Sequence, residues 1–117
     1  MEVSMKYLYV CIFAFIGGAL RYEISMLVDI GGTLAVNLAG AFILGLLSVK
    51  LMALDQNLRT GITAGFVGSF TTFSTFSKES IELLQTTVWS GIGYIAVTII
   101  FGVLLAYAGM KVGEVTQ

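Results

Sequence analysis

The sequence predicts an all-α membrane protein of four transmembrane helices, the third broken at mid-membrane. Three observations carry that prediction. Of 117 residues, 57% are apolar and 11% charged, against roughly 45–50% and about 25% in an ordinary soluble domain. The charges are spaced so that residues 7–20, 30–49, 60–77 and 83–110 carry none, which gives stretches of 14, 20, 18 and 28 residues. A bilayer core about 30 Å thick takes roughly 20 helical residues. Glycines and hydroxyls crowd into residues 61–77, where a continuous helix accommodates them poorly.

Span 1 covers about residues 5–28. Its charge-free stretch is short, and it qualifies because Arg21 and Glu23 fall in an interfacial last turn, where Arg snorkels. Lys6 followed by an apolar run to Gly17-Gly18-Ala19 imitates a secretory signal, but no polar mature domain follows, so the run reads as a span. Span 2 covers 33–52, opening after Asp29-Ile30-Gly31-Gly32 with Thr33 as its cap. Asp55-Gln56-Asn57 forms the next turn, and span 3 covers 58–84. Span 4 covers 87–111, with Trp89 and Tyr107 as interface anchors near its ends. Spans of roughly 20 residues use about 80 positions. That leaves one membrane domain, 1–117, and no room for a soluble one.

The same arithmetic excludes a soluble enzyme, a nucleic-acid binder and a disulfide scaffold. The net charge of −1 supplies no basic field. There is no His, which removes His-based catalysis, zinc sites and proton relays. The single Cys11 cannot form an intrachain disulfide. Lys6, Lys50, Arg59 and Lys111 fall on the side of the termini, and Arg21 and Lys78 on the other. The bias mildly favours cytoplasmic termini and is small enough to allow insertion both ways.

Candidate chemistry concentrates in span 3. Gly61, Gly65 and Gly68 precede Ser69-Phe70-Thr71-Thr72-Phe73-Ser74-Thr75-Phe76-Ser77. Hydroxyls compete for backbone hydrogen bonds and open helices. A break from Gly68 to Ser77 would free carbonyls that attract a cation and amides that attract an anion. Close helix packing explains Gly61 and Gly65 equally well. Phe70, Phe73 and Phe76 recur every third residue. Such a stripe is ordinarily packing, yet aromatic edges are electropositive and can line an anion path without holding the anion tightly. Asn37, alone in an apolar stretch, is either interhelical glue or an amide donor facing a pore. It shares a face with Thr33, Gly40, Leu44 and Ser48. Ser90, Tyr94 and Thr98 form a hydroxyl stripe on span 4. Glu23, Asp29, Glu79 and Glu82 read as lying near ends or loops. No deep carboxylate then serves a proton-coupled exporter or a cation channel. Neutral donors suit a small, strongly hydrated anion.

Gly17-Gly18-Ala19-Leu20-Arg21-Tyr22, Gly32-Thr33-Leu34-Ala35-Val36-Asn37-Leu38-Ala39-Gly40 and residues 65–77 together resemble the Fluc/CrcB family of small bacterial fluoride channels. The resemblance covers almost the whole chain. It implies an antiparallel, dual-topology homodimer in the inner (plasma) membrane, with two pores that pass fluoride without ATP or proton coupling. It implies that Asn37 contacts fluoride through its amide and that the ring edges of Phe73 and Phe76 flank the ion, the pair at one pore coming from different subunits. Ser74 and Thr75 would lie in the polar track, with Tyr94 and Thr98 of span 4 completing it. Arg21 would stand at the vestibule. Backbone carbonyls of Gly68 and Thr71 would hold one structural Na⁺ at the dimer centre. The competing expectations are a small multidrug-type exporter, which would need a membrane carboxylate, and a non-transporting membrane adaptor whose polar stripes are only glue.

Overall fold

Among the described residues, three helices are long and apolar enough to cross a bilayer, and a fourth crossing is assembled from pieces. The computed structural model describes residues 2–27 and 30–116. The expected end of span 1 at residue 28, and Asp29 of the following turn, lie outside the described residues. Helix α1 runs Glu2–Leu27 and α2 Ile30–Lys50. The third crossing comprises α3 (Gln56–Thr60), a π-helical segment (Gly61–Val67), α4 (Gly68–Phe70) and α5 (Phe73–Thr86). Helix α6, Val88–Val115, follows. At 1.5 Å per residue its 28 residues reach about 42 Å, enough to pass the hydrocarbon core and both headgroup layers.

The boundaries correct the sequence reading in three places. Thr33 does not cap α2: the helix begins at Ile30, and Thr33 is buried on its inner face. Asp55, read as part of a turn with Gln56 and Asn57, is the cap of α3. Its carboxylate accepts hydrogen bonds from the Asn57 and Leu58 amides, at 3.0 and 3.3 Å. The break is confined to Thr71 and Thr72, both extended. Ser69 remains helical in α4, and Ser74, Thr75 and Ser77 sit in α5. The Thr72 hydroxyl accepts from the Thr75 amide at 3.2 Å and restarts the helix.

Two packed pairs make the chain. α1 lies against the π-helical segment and α4, while α2 lies against α6, with α5 beside α6. Glycines set the spacing in both pairs. A Cβ on Gly65 would meet the Val10 carbonyl and one on Gly61 the Tyr9 side chain. Packing thus accounts for these two glycines. In the other pair, Cβ atoms on Gly45 and Gly109 would collide with the Ala106 and Phe42 carbonyls. Without a hydrophobic drive between helices in lipid, such close approach is what dispersion requires. Among the described residues the buried core is correspondingly small, with Val36, Val49, Val67, Phe70 and Tyr94 as its apolar members. Trp89 and Tyr107 are exposed toward the two ends of α6, as interface anchors should be.

Candidate functional site

The break is held by side chains from both neighbouring helices. The Asn37 amide nitrogen donates to the Thr72 carbonyl at 3.0 Å, and the Asn37 oxygen accepts from the Thr72 amide at 2.8 Å. One carboxamide therefore replaces both hydrogen bonds that an extended residue at membrane depth would lose. Gly40, one turn along α2, makes the approach possible, because a Cβ there would collide with the Thr71 methyl. On the other side, Arg21 Nε of α1 donates to the Ser69 carbonyl at 3.0 Å. Asn37 is thus a structural hydrogen-bonding residue in this chain, and its second amide hydrogen is not needed by Thr72.

The break frees the carbonyls that the sequence nominated. In a continuous helix Thr72 N would close on Gly68 O, and Thr75 N on Thr71 O. Those amides are committed instead to Asn37 Oδ1 and Thr72 Oγ1. Gly68 is exposed, with open space where a side chain would stand. Carbonyl oxygens are neutral, partially negative ligands of the kind a hard monovalent cation takes.

A cavity of about 430 Å³, open on one side, adjoins the break. Asn37, Thr71, Thr72, Phe73, Phe76 and Thr98 line it, with Ile99, Gly102 and Val103 of α6 as its apolar wall. It carries no charged side chain among the described residues. Phe73 and Phe76 sit with ring centroids 6.1 Å apart and planes tilted by 43°. Phe73 is 79% exposed and stands out from the chain. Phe76 continues to Tyr94, 5.5 Å away.

The remaining expected residues are placed less uniformly. Ser74 is exposed on the first turn of α5, outside the cavity lining. The Thr75 hydroxyl accepts from the Thr72 hydroxyl at 3.0 Å and belongs to the capping arrangement. Tyr94 is buried and does not line the cavity; its hydroxyl donates to Glu79 at 3.0 Å. The Thr98 hydroxyl lines the cavity while donating to the Tyr94 carbonyl at 2.8 Å. Ser90 is exposed and outside the lining, so the span 4 stripe does not act as a unit.

Glu79 was read as lying near an end and is instead inside α5, half-buried against Tyr94. Its spacing from Phe76, three residues along a helix, was the available signal. Thr72 and Ser69 were also missed as individual positions. They act through main-chain atoms, which a hydroxyl pattern does not single out.

The profile of the family described as CrcB-like protein, Camphor Resistance (CrcB), matches residues 8–110. The chain is 43% identical over 117 residues to "Fluoride-specific ion channel FluC 1" of Staphylococcus aureus (strain bovine RF122 / ET3-1), covering 93% of this chain and 97% of that one. It is 40% identical over 115 residues to the protein of the same name from Lactobacillus johnsonii, covering 95% and 89%. Over 104 residues it is 40% identical to "Fluoride-specific ion channel FluC 2" of Ligilactobacillus salivarius, covering 86% and 79%.

Proposed function

The chain belongs to the CrcB family, and from that membership we infer that it is a fluoride-specific channel, a multi-pass protein of the bacterial plasma membrane. Its work is ion transport. The observation that carries the mechanism is the convergence of Asn37, Phe73 and Phe76 on one uncharged cavity at the break.

Fluoride sheds water reluctantly, so a pore must offer donors strong enough to admit it and weak enough to release it. Our reading gives that task to the free Asn37 N–H and to the ring edges of Phe73 and Phe76. Thr98 extends the polar path and Tyr94 stiffens it from behind, while Ser74 and Thr75 lie outside the lining. Because HF crosses membranes uncharged and dissociates in a more alkaline cytoplasm, fluoride ion accumulates inside. A negative-inside potential favours its exit by about 2.3 kcal/mol per 100 mV.

We assign two copies to the working unit, antiparallel, with two pores. Two features support a second copy. Phe73 projects from the chain beside an open cavity. Helix α5 carries Lys78, Glu79 and Glu82 within a half-span, a composition poorly suited to lipid on every side. A central Na⁺ on the Gly68 and Thr71 carbonyls would supply positive charge to oxygens that lack helical partners. It would then act as a structural tie between two broken helices.

The test is ion efflux from liposomes with voltage held by potassium and valinomycin. Rapid fluoride release without chloride release is expected. Release of neither ion by folded protein would leave the polar stripes as glue. Proton release on binding a cationic drug would restore the exporter.

A further inference from the structure

We propose that Arg21 is a positioning residue that sets the break through the Ser69 carbonyl, rather than a free charge at a pore mouth. The proposal rests on the fluoride-channel reading. In an unbroken helix the Ser69 carbonyl would accept from Phe73 N. Thr71 and Thr72 turn extended and carry that amide away. Arg21 Nε takes its place at 3.0 Å, reaching from α1 across 48 positions of sequence.

Everything around the contact brings α1 to this one residue. Gly17, one turn before Arg21, has no side chain where a Cβ would run into the Phe66 carbonyl and the Ser69 hydroxyl. The Ser69 hydroxyl itself lies 2.7 Å from the Ala14 carbonyl and 2.8 Å from the Gly65 carbonyl. Helix α1 therefore holds Ser69 by side chain and main chain together. Helix α2 holds Thr72 by both main-chain atoms through Asn37. The peptides between these fixed points include the Thr71 carbonyl, and the Gly68 carbonyl belongs to the peptide that enters Ser69. Their direction is set by the two grips, and Arg21 is the grip on the side of the first half-helix. A positive charge at the C-terminal end of a helical segment also matches its dipole.

A donor role and a charge role can be separated by atom position. Gln Nε2 stands as many bonds from Cα as Arg Nε, so Arg21→Gln keeps a donor there and loses the charge. Lys carries a methylene at that point, so Arg21→Lys keeps the charge and moves the donor. Arg21→Met keeps the bulk alone. The experiment is initial fluoride efflux from liposomes at matched dimer content for the wild type and the three variants. Arg21→Gln is expected within about threefold of wild type, with Arg21→Lys and Arg21→Met slower by about tenfold or more, the scale of a buried carbonyl left unpaired. Fast Arg21→Lys with slow Arg21→Gln would assign the charge and overturn the proposal. Equal rates in all three variants, fast or slow, would overturn it too. If Arg21→Met does not assemble, the order of the other two decides. A wild type that releases no fluoride refutes the channel reading itself, a separate result.

Discussion

Asn37 makes two hydrogen bonds to a single residue of the break, so one truncation should remove both. Each orphaned main-chain group at this depth costs about 1–3 kcal/mol. Asn37→Ala is therefore expected to lower stability by about 2–4 kcal/mol and to cut fluoride flux at least about tenfold. Thermal unfolding and liposome efflux on the same preparation check it. Phe76→Ile offers the contrast. It keeps most of the apolar volume and removes the ring edge, so stability should shift by less than about 1.5 kcal/mol while flux falls. If Phe76→Ile conducts like wild type, the aromatic stripe is packing. The pair of variants separates a residue that both builds the site and faces the ion from one that only faces it.

The crossings are spaced by glycines whose missing side chains are occupied by a neighbour's backbone. Gly109 faces the Phe42 carbonyl, which cannot swing aside as a side chain would. Gly109→Ala is expected to force α2 and α6 apart and to cost about 1–3 kcal/mol. Gly93, on the same helix, has nothing within 4 Å of its added Cβ. Gly93→Ala should be neutral or gain up to about 1 kcal/mol from helix propensity. Thermal melting of the two variants should therefore move in opposite directions or differ clearly, and equal shifts would refute the role of close approach. The third crossing shows the same logic at its break. Its two extended residues persist because α1 and α2 supply the partners that the helix withdraws.

Across the whole molecule, the open cavity and the polar half-span α5 need covering, and a second, inverted copy is the proposed cover. Single-cysteine labelling can test the inversion. With Cys11→Ala removing the native thiol, Asp55→Cys places a probe on the exposed connection between α2 and α3. An impermeant maleimide added outside intact cells should label about half the chains if the copies are inverted, and the small excess of basic residues on the side of the termini does not forbid it. Labelling of all or none would fix one orientation and end the antiparallel arrangement. Exchange of Na⁺ for a large organic cation should slow flux gradually and lower the dimer's melting temperature. Immediate loss of flux on changing external Na⁺ would make the ion a transport partner instead.

The helical membrane class, the four crossings and the position of the irregular stretch were legible in the chain. Charge spacing against bilayer thickness is a one-dimensional constraint, and residues 30–49 and 83–110 satisfy it without reference to anything else. The family motifs singled out Asn37, Phe73 and Phe76, and the fold brings the three to one cavity. What only the tertiary structure decided is which atoms do the work. Six hydroxyls between Ser69 and Ser77 suggested a long unwound segment. The fold confines it to Thr71 and Thr72, because only there do Asn37 and the Thr72 cap replace the lost backbone bonds. Arg21 on Ser69 and Glu79 on Tyr94 were likewise out of reach. Both pairs join residues on different helices, and periodicity along one helix carries no information about the azimuth at which another meets it.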